Sequence, residues 1–326
     1  MPDIQLEMLP FADAEASLRS PYAIDDLVVA AELPILVVDA AGQKVQPDMA
    51  SSLRALPAVT IGVGTTDPAF DVVVDGPGIL LDAITSTVSD STDAALALVQ
   101  VLRAGEGLGV IDALALESFA YAALLGSTRF ATWLAGRSTR PREERDGLEV
   151  ARDGDVLRVT FSRPEVHNAY SAMVRDRLSE ALQLALADES ITSVVLAGAG
   201  ASFCSGGDLD EFGTAADPMA AHRVRTARSP AALLTELGPR AEARVHGAAI
   251  GAGCELAACC GRVTATEDAW FALPEIAMGL IPGAGGTMSL PRKIGRQRTA
   301  RLALTGEKLD APGALVWGLV DRVVAR

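Results

Sequence analysis

Two glutamates stand twenty positions apart in stretches that are otherwise rich in glycine and small apolar residues. Glu255 lies in the run HGAAIGAGCELAACC, residues 246–260, and Glu275 lies in LPEIAMGLIPGAGG, residues 273–286. Two carboxylates in one apolar pocket lose hydration and repel each other, so at least one of them keeps a proton at neutral pH. Such a pair provides one general acid and one general base. The competing interpretation is that one glutamate is a surface or salt-bridged residue.

Two glycine turns accompany these glutamates. FCSGGDLDEF, residues 203–212, follows the apolar run SVVLAGAG, and GAAIGAG, residues 247–253, follows EARV. Glycine lets the backbone approach a ligand closely, and the first N–H groups of a helix that follows have no partner inside it. Such N–H groups attract an anion or a developing oxyanion. One turn of this kind says little, whereas two turns with paired glutamates indicate a catalytic site.

The motifs of the second half of the chain resemble the crotonase, or enoyl-CoA hydratase/isomerase, superfamily. They run in the order Arg163-Pro164, Asn168-Ala169, FCSGGDL, VHGAAIGAGCELA, LPEIAMGLIPGAGGT and ALTGEKLDAPGALVWGLVDRVV. The resemblance begins at about residue 148 and implies an α/β fold with a spiral ββα core. It also implies an acyl-CoA thioester substrate, with CoA as the carrier and with no separate cofactor or metal. The implied assembly is a homotrimer or a dimer of trimers.

The resemblance also implies roles for individual residues of this chain. The backbone N–H groups of Gly207 and Ala252 form an oxyanion hole that polarises the thioester carbonyl. Glu255 orients and deprotonates a water molecule, and Glu275 donates a proton to the α-carbon. The further residues implied to bind CoA or substrate are Arg163, Ala169, Ser205, Gly206, Asp208, Gly251, Pro274 and Gly283.

The presence of both glutamates favours one activity within the superfamily. Hydratases of the family keep both carboxylates, isomerases commonly keep one, and hydrolytic or dioxygenase-like members usually replace them. The sequence therefore predicts a lyase of fatty acid metabolism that adds water across the double bond of an α,β-unsaturated acyl-CoA. The alternatives are an enoyl-CoA isomerase and a non-catalytic scaffold subunit that binds acyl-CoA.

Two positions differ from the family pattern near the expected CoA phosphates. Many hydratases carry lysine where this chain has Glu165 and Asp210. Two negative charges there are expected to weaken the binding of a phosphorylated carrier. The candidates for the missing positive charge are Arg163, Arg223, Arg225 and Arg228.

The first half of the chain predicts two additional segments before a catalytic core at residues 146–326. Residues 1–88 alternate apolar runs such as LPILVVDAAG and LPAVTIGVGTTD with polar turns and one short helix, which is typical of a small α/β segment. A polar linker is predicted from Ser86 to Ala94. Residues 89–145 carry apolar residues at helical spacing and end in the charged run RSTRPREERDG, which predicts a helical segment and a linker.

Part of this helical segment, from Ala113 to Pro141, resembles the helices that follow the core in most family members. It includes their Leu-x-x-Glu opening, so the order of the elements is that of a circular permutation. We therefore expect the apolar faces of these helices to cover the core beside the acyl pocket. The side chains expected to be buried are Leu114, Phe119, Leu124, Leu125, Phe130 and Trp133.

Composition and charge argue against several other classes of protein. The 326 residues are 49% hydrophobic and 21% charged, as in globular proteins with a sizeable core. A formal charge of −14 without a basic run argues against nucleic acid as a partner. There is no apolar run of membrane-spanning length and no signal-peptide pattern, so we expect a cytoplasmic protein without membrane contact.

Overall fold

Three β-sheets with surrounding helices make up the part of the chain that the computed structural model describes, residues 7–31, 33–138, 146–215 and 217–325. The first sheet is parallel in the order β1-β2-β3-β4. Its strands are β1 (Met8–Pro10), β2 (Ile35–Asp39), β3 (Val59–Val63) and β4 (Val72–Val74). In the register, Ile35 pairs with Val59 and Ile61 pairs with Val72.

Alternate residues of the first sheet face two different apolar clusters. Leu36 and Val38 pack with the helices α1 (Phe11–Arg19) and α2 (Pro47–Ala55), while Val37 and Ile61 face the main core. This alternation follows from the opposite directions of successive side chains in a strand. The strands predicted in LPILVVDAAG and LPAVTIGVGTTD are β2 and β3, and the short helix between them is α2. A π-helical turn at Asp25–Val29 precedes β2.

Between the first sheet and residue 138, the last described residue before the second half, the chain forms four helices: α3 (Ile79–Asp90), α4 (Thr92–Gly105), α5 (Val110–Leu124) and α6 (Thr128–Ala135). The linker predicted from Ser86 to Ala94 is wrong, because this stretch holds the end of α3 and the start of α4. Buried Ile84 and Val88 place the polar residues of the stretch on the outer side of α3. The charged run predicted as a domain boundary falls largely on residues 139–145, outside the described residues.

The large sheet has the order β13-β10-β8-β7-β6-β5 and holds most of the second half of the chain. The strands β5 (Leu148–Asp153) and β6 (Val156–Phe161) form the predicted hairpin around Gly154. The other strands, all parallel to β6, are β7 (Ser193–Gly198), β8 (Ala241–Val245), β10 (Arg262–Thr266) and β13 (Arg322–Val324).

A small sheet in the order β12-β11-β9 stands beside the large one. Its strands are β9 (Ala248–Ile250), β11 (Trp270–Ala272) and β12 (Leu309–Asp310). The chain passes from the large sheet to the small sheet twice, from β8 to β9 and from β10 to β11, and each time a helix follows. These are the repeated ββα units that were predicted, and the α/β class is confirmed.

The described residues of the second half form seven helices: α7 (Ala172–Ala187), α8 (Pro218–Ala227), α9 (Pro230–Leu237), α10 (Ala252–Cys259), α11 (Gly286–Ile294), α12 (Arg296–Thr305) and α13 (Ala311–Trp317). Shorter 3₁₀ turns lie at Pro164–Val166, Gly238–Arg240 and Glu275–Met278. The side chains of Ser171, Asp217, Ser229 and Asp310 cap four of the helices, as short oxygen-bearing side chains do at an N-terminus.

The helices α3–α6 lie directly against the second half of the chain. Arg129 Nη2 donates to the Ala277 carbonyl (3.0 Å), and Arg292 Nη2 donates to the Leu108 carbonyl (2.7 Å). Buried Asp71 before β4 accepts hydrogen bonds from Arg103 Nε and Arg296 Nη1 at 2.8 Å each, which ties α4 and α12 to the first sheet. One continuous apolar cluster therefore spans both halves.

The six side chains expected to be buried in these helices differ in exposure. Leu124 and Phe130 are buried, whereas Leu114, Leu125 and Trp133 are half-buried against the core. The expectation for Phe119 is wrong, because this side chain is 51% exposed and stacks on His222 of α8 with ring centroids 4.0 Å apart. In the described part of the chain no single helix has the length and apolarity to cross a bilayer; α5 and α6 reach that length only together, with a 65° bend.

Candidate active site

A cavity of about 340 Å³ lies between α5, α8 and the two glycine turns. Both predicted glutamates, Glu255 and Glu275, line it, and so do Gly207 and Ala252. The first half of the chain contributes Leu114, Glu117 and other residues of α5 to the same wall. The structure therefore brings the predicted catalytic and oxyanion residues together in one cavity. The helix α5, which precedes the core in sequence, forms part of the wall of this cavity.

The two glycine turns contact each other at Gly206 and Gly251. Cys204 pairs with Ala249 in a parallel bridge, which sets the turns side by side. Gly206 has φ +95°, and a Cβ there would lie 3.0 Å from the Ile250 carbonyl oxygen. Gly251 has φ +49°, and its Cβ would lie 2.4 Å from Glu275 Oε1. Glycine is required at both positions, because a side chain would be strained and would collide.

The N–H groups of Gly207 and Ala252 follow directly after these two glycines. Neither group donates a hydrogen bond to another residue in the described part of the chain. Ala252 is the first residue of α10, whose initial N–H groups have no partner within the helix and carry a partial positive charge. The two turns thus present two uncommitted donors at the cavity wall.

Glu255 lies in the first turn of α10 and is only 2% exposed. Its Oε2 accepts hydrogen bonds from the N–H of Ala284 (2.7 Å) and of Gly286 (2.8 Å). Burial, together with the charges of Glu275 and Glu117, raises the pKa of Glu255 well above its usual range, and the two hydrogen bonds oppose that shift. The two hydrogen bonds therefore fix the carboxyl group in position and favour its ionised form, against the effect of burial.

Glu275 begins the 3₁₀ turn that follows β11. Its Oε2 is buried and has no hydrogen-bond partner among the described residues. Burial raises the pKa of this carboxyl to about 8, against the effect of its own backbone N–H and with help from the charge of Glu117. A neutral carboxylic acid at this position avoids leaving a bare charge in an apolar wall.

A third buried carboxylate, Glu117 of α5, was given no role by sequence reasoning. Its Oε1 accepts from the N–H of Gly285 (2.8 Å), and its Oε2 accepts from the N–H (2.8 Å) and hydroxyl (2.7 Å) of Thr287. Burial raises its pKa to about 7, although the hydrogen bonds from Thr287 and Gly285 and the charge of Arg225 oppose the shift. The available signals were an isolated carboxylate inside the apolar run ALALESFAYAALL and its place as the glutamate of the Leu-x-x-Glu opening.

Glu117 and Glu255 hold alternate N–H groups of the same loop. Four successive N–H groups, from Ala284 to Thr287, are shared between a carboxylate of α5 and a carboxylate of α10. These N–H groups lie at the start of α11, where anionic partners are favoured. The loop that fixes Glu255 therefore depends on a residue from the first half of the chain.

The remaining predicted contacts with CoA or substrate fall into three places. Asp208 and Gly283 line the cavity, and Pro274 immediately precedes the turn of Glu275. Ala169 and Ser205 lie where residues 167–170 pack against the first glycine turn, with Ser205 N–H donating to the His167 carbonyl (3.0 Å).

Arg163 lies in a buried ion pair rather than in the cavity wall. Its Nη1 lies 3.1 Å from Asp208 Oδ2, and both side chains are less than one-tenth exposed. The carboxylate of Asp208 therefore neutralises much of the positive charge that Arg163 was predicted to offer to CoA. The contact between Arg163 and CoA stays a prediction.

The fold and this cavity define a crotonase-type enzyme, and comparison with known proteins identifies the family. Residues 151–326 match the family model described as enoyl-CoA hydratase/isomerase. A probable enoyl-CoA hydratase of Rhizobium meliloti (strain 1021) is 38% identical over 186 residues, which are 55% of this chain and 68% of the relative. The 2,3-dehydroadipyl-CoA hydratase of Escherichia coli (strain K12) is 39% identical over 176 residues, 54% of this chain and 68% of the relative.

Solved structures similar to this chain are also enoyl-CoA hydratases. The crystal structure of an enoyl-CoA hydratase from Mycobacterium smegmatis superposes with a TM-score of 0.52 at 36% identity, over 56% of this chain and 71% of that one. The enoyl-CoA hydratase from Thermoplasma volcanium GSS1 gives a TM-score of 0.51 at 33% identity, over 56% and 73%. This chain belongs to the enoyl-CoA hydratase/isomerase family.

Proposed function

We propose that this protein hydrates the double bond of an α,β-unsaturated acyl-CoA thioester. The observation that carries the proposal is the pair of carboxyl groups, Glu255 and Glu275, in the wall of one cavity with the N–H groups of Gly207 and Ala252. The names of the two curated relatives, both hydratases of CoA thioesters, support the same reaction class.

The thioester carbonyl oxygen accepts hydrogen bonds from the N–H of Gly207 and of Ala252. This contact draws electron density from the β-carbon and stabilises the enolate that forms when water adds. The positive end of α10 contributes to the same stabilisation. Both donors belong to the backbone of tight turns, so they need no reorganisation during the reaction.

The two carboxyl groups move the protons. With one proton shared by the pair, Glu255 takes a proton from water as the oxygen attacks the β-carbon, and Glu275 gives its proton to the α-carbon. The product is the β-hydroxyacyl thioester, and the pair is restored when the proton left on Glu255 passes to Glu275, either directly or by exchange through solvent. The two N–H bonds to Glu255 Oε2 fix the carboxylate and leave Oε1 to face the water.

A spectrophotometric screen tests this proposal. Enoyl-CoA thioesters of several chain lengths are mixed with the protein, and loss of the conjugated thioester absorbance is followed. We expect turnover of at least one thioester to the β-hydroxyacyl product. Migration of the double bond without uptake of water would instead identify an isomerase, and tight binding without any turnover would identify a scaffold subunit.

We also propose that residues 89–145 replace the helices that usually follow the core, in a cytoplasmic homotrimer or dimer of trimers. Support comes from α5, which lines the cavity, and from the contacts of Arg129 and Arg292 across the two halves. Proteolytic cleavage within residues 137–147 tests the arrangement. We expect the two pieces to stay associated in light scattering; two separately folded pieces, with activity in the second alone, would contradict it.

A further inference from the structure

Arg225, in the cavity wall, makes its hydrogen bonds only to neutral groups. Arg225 of α8 donates from Nε to Ser118 Oγ (3.0 Å) and from Nη2 to the Ser118 carbonyl (3.1 Å). Its guanidinium carbon lies 4.8 Å from the centroid of the Tyr121 ring. Among residues 7–31, 33–138, 146–215 and 217–325, no carboxylate lies within ion-pair distance of it. The other arginines that line the cavity, Arg175 and Arg228, lie 2.9 Å from Asp176 and 3.9 Å from Glu180.

The lack of a carboxylate at ion-pair distance among the described residues has an energetic consequence for Arg225. A guanidinium group stays protonated in proteins, so burial of Arg225 removes hydration from a permanent charge. A partly buried charge is destabilising unless it is paired. Burial lowers the pKa of Arg225 and the charge of Glu117 opposes this shift, but the oxygens of Glu117 are engaged by Gly285 and Thr287 rather than by the guanidinium. An anionic group of the ligand would provide the ion-pair partner that Arg225 lacks among the described residues.

The guanidinium group is also held in a fixed orientation. Ser118 Oγ, which accepts from Arg225, lies 2.9 Å from His222 Nδ1, so the serine is itself fixed. The Tyr121 ring covers one face of the guanidinium. A planar, immobilised guanidinium is suited to bind a carboxylate through parallel hydrogen bonds, and its immobilisation lowers the entropic cost of binding.

The part of the cavity wall next to Arg225 includes aromatic and apolar side chains. A Cβ on Gly283 would lie 2.5 Å from the Tyr121 ring, and Arg225 contacts the same ring. One aromatic ring therefore separates Arg225 from the loop that holds Glu255. Leu114 and Ala231 line the cavity beside them. A short acyl chain fits such a passage better than a hydrated phosphate does.

We propose that Arg225 binds a carboxylate at the distal end of the acyl chain, so that the substrates are short enoyl-CoA thioesters of dicarboxylic acids. This inference rests on the proposed hydratase function. The thioester lies at Gly207 and Ala252, the chain passes along Tyr121, and the distal carboxylate pairs with Arg225. A phosphate of CoA is the other source of an anion, and the experiment separates the two.

The test compares two α,β-unsaturated CoA thioesters of equal chain length, one ending in a carboxylate and one in a methyl group. For the wild type we expect kcat/KM to be about 10- to 100-fold higher for the carboxylate-ended thioester, as one charge-assisted hydrogen-bonded pair provides. Arg225→Met should abolish most of this ratio, and Arg225→Lys should retain part of it. Arg262→Met, at an exposed arginine of β10 that does not line the cavity, is the control and should keep the ratio.

Binding measurements give a readout that does not depend on turnover. Calorimetry with the saturated thioesters should show the same preference in Kd, and Arg225→Met should leave the Kd of free CoA unchanged. Weaker binding of free CoA and of both thioesters by equal factors would assign Arg225 to a phosphate and overturn the proposal. A wild-type preference for the methyl-ended thioester would also overturn it. If both thioesters bind with the expected preference but neither is hydrated, the hydratase function fails and the assignment of Arg225 stands.

Discussion

One wall of the cavity comes from the region that matches the family model, and the other comes from a region that does not. The wall built from residues 203–286 lies inside the part that matches the family model, and it carries Glu255, Glu275 and the two uncommitted N–H groups. The wall built from α5 lies outside the matched residues, yet its Glu117 holds the same loop that Glu255 holds. The groups that carry the proposed chemistry are thus in the matched region, and their positions depend on the unmatched one.

The largest effect should follow from changes in the matched wall. Glu255→Gln and Glu275→Gln should each lower kcat for hydration by about 10²–10⁴-fold, as loss of a general acid or base does. Glu236→Gln, at an exposed position on α9, is the control and should be as active as the wild type. Near-normal turnover by either cavity variant would place the chemistry elsewhere.

Changes in the unmatched region should act first on stability. Phe130 of α6 is 3% exposed, and Phe130→Ala should lower the free energy of unfolding by about 3–5 kcal/mol through the cavity it leaves. Phe119→Ala removes the same side chain from an exposed position and should cost less than about 1 kcal/mol. Urea unfolding measures both. If the two variants lost the same free energy of unfolding, α6 would not pack on the core as described.

A smaller effect on activity is expected from Glu117→Gln. The amide keeps one acceptor oxygen but loses the second, so the loop from Ala284 to Thr287 should loosen and kcat should fall about 10- to 100-fold. Because the charge of Glu117 raises the pKa of Glu275, its removal should also shift the high-pH loss of activity to lower pH. Asp112→Asn removes a charge from an exposed position on the same helix and should change neither quantity. Lower activity with an unshifted pH profile would leave Glu117 a purely structural role.

The sequence was informative where structure is local. The hairpin around Gly154, the strand-and-turn units and the paired glutamates could be predicted, because turn residues, β-branched runs and spacing are visible in short windows. The linker at Ser86 was mispredicted, because polar residues on the outer side of α3 resemble a loop in composition.

Other features depend on contacts between distant residues. Glu117 meets Gly285 across 168 positions of sequence, and no local pattern reveals such a contact. Phe119 was expected to be buried, but α5 is apolar on all sides, so periodicity does not show which side faces the core. The hydrogen bonds of Arg225 to Ser118 also follow from the packing of α8 on α5 and are not visible from its basic neighbours in sequence.

The pH dependence of hydration tests the shared-proton mechanism most directly. Glu275 must be protonated to donate, so kcat/KM should fall as pH rises through its pKa, which burial raises to about 8. The residual activity of Glu275→Gln should lack this loss, because the amide has no proton to release in that range. A wild-type profile that stays level well above pH 8, or a high-pH loss that persists unchanged in Glu275→Gln, would contradict the assignment of Glu275 as the acid.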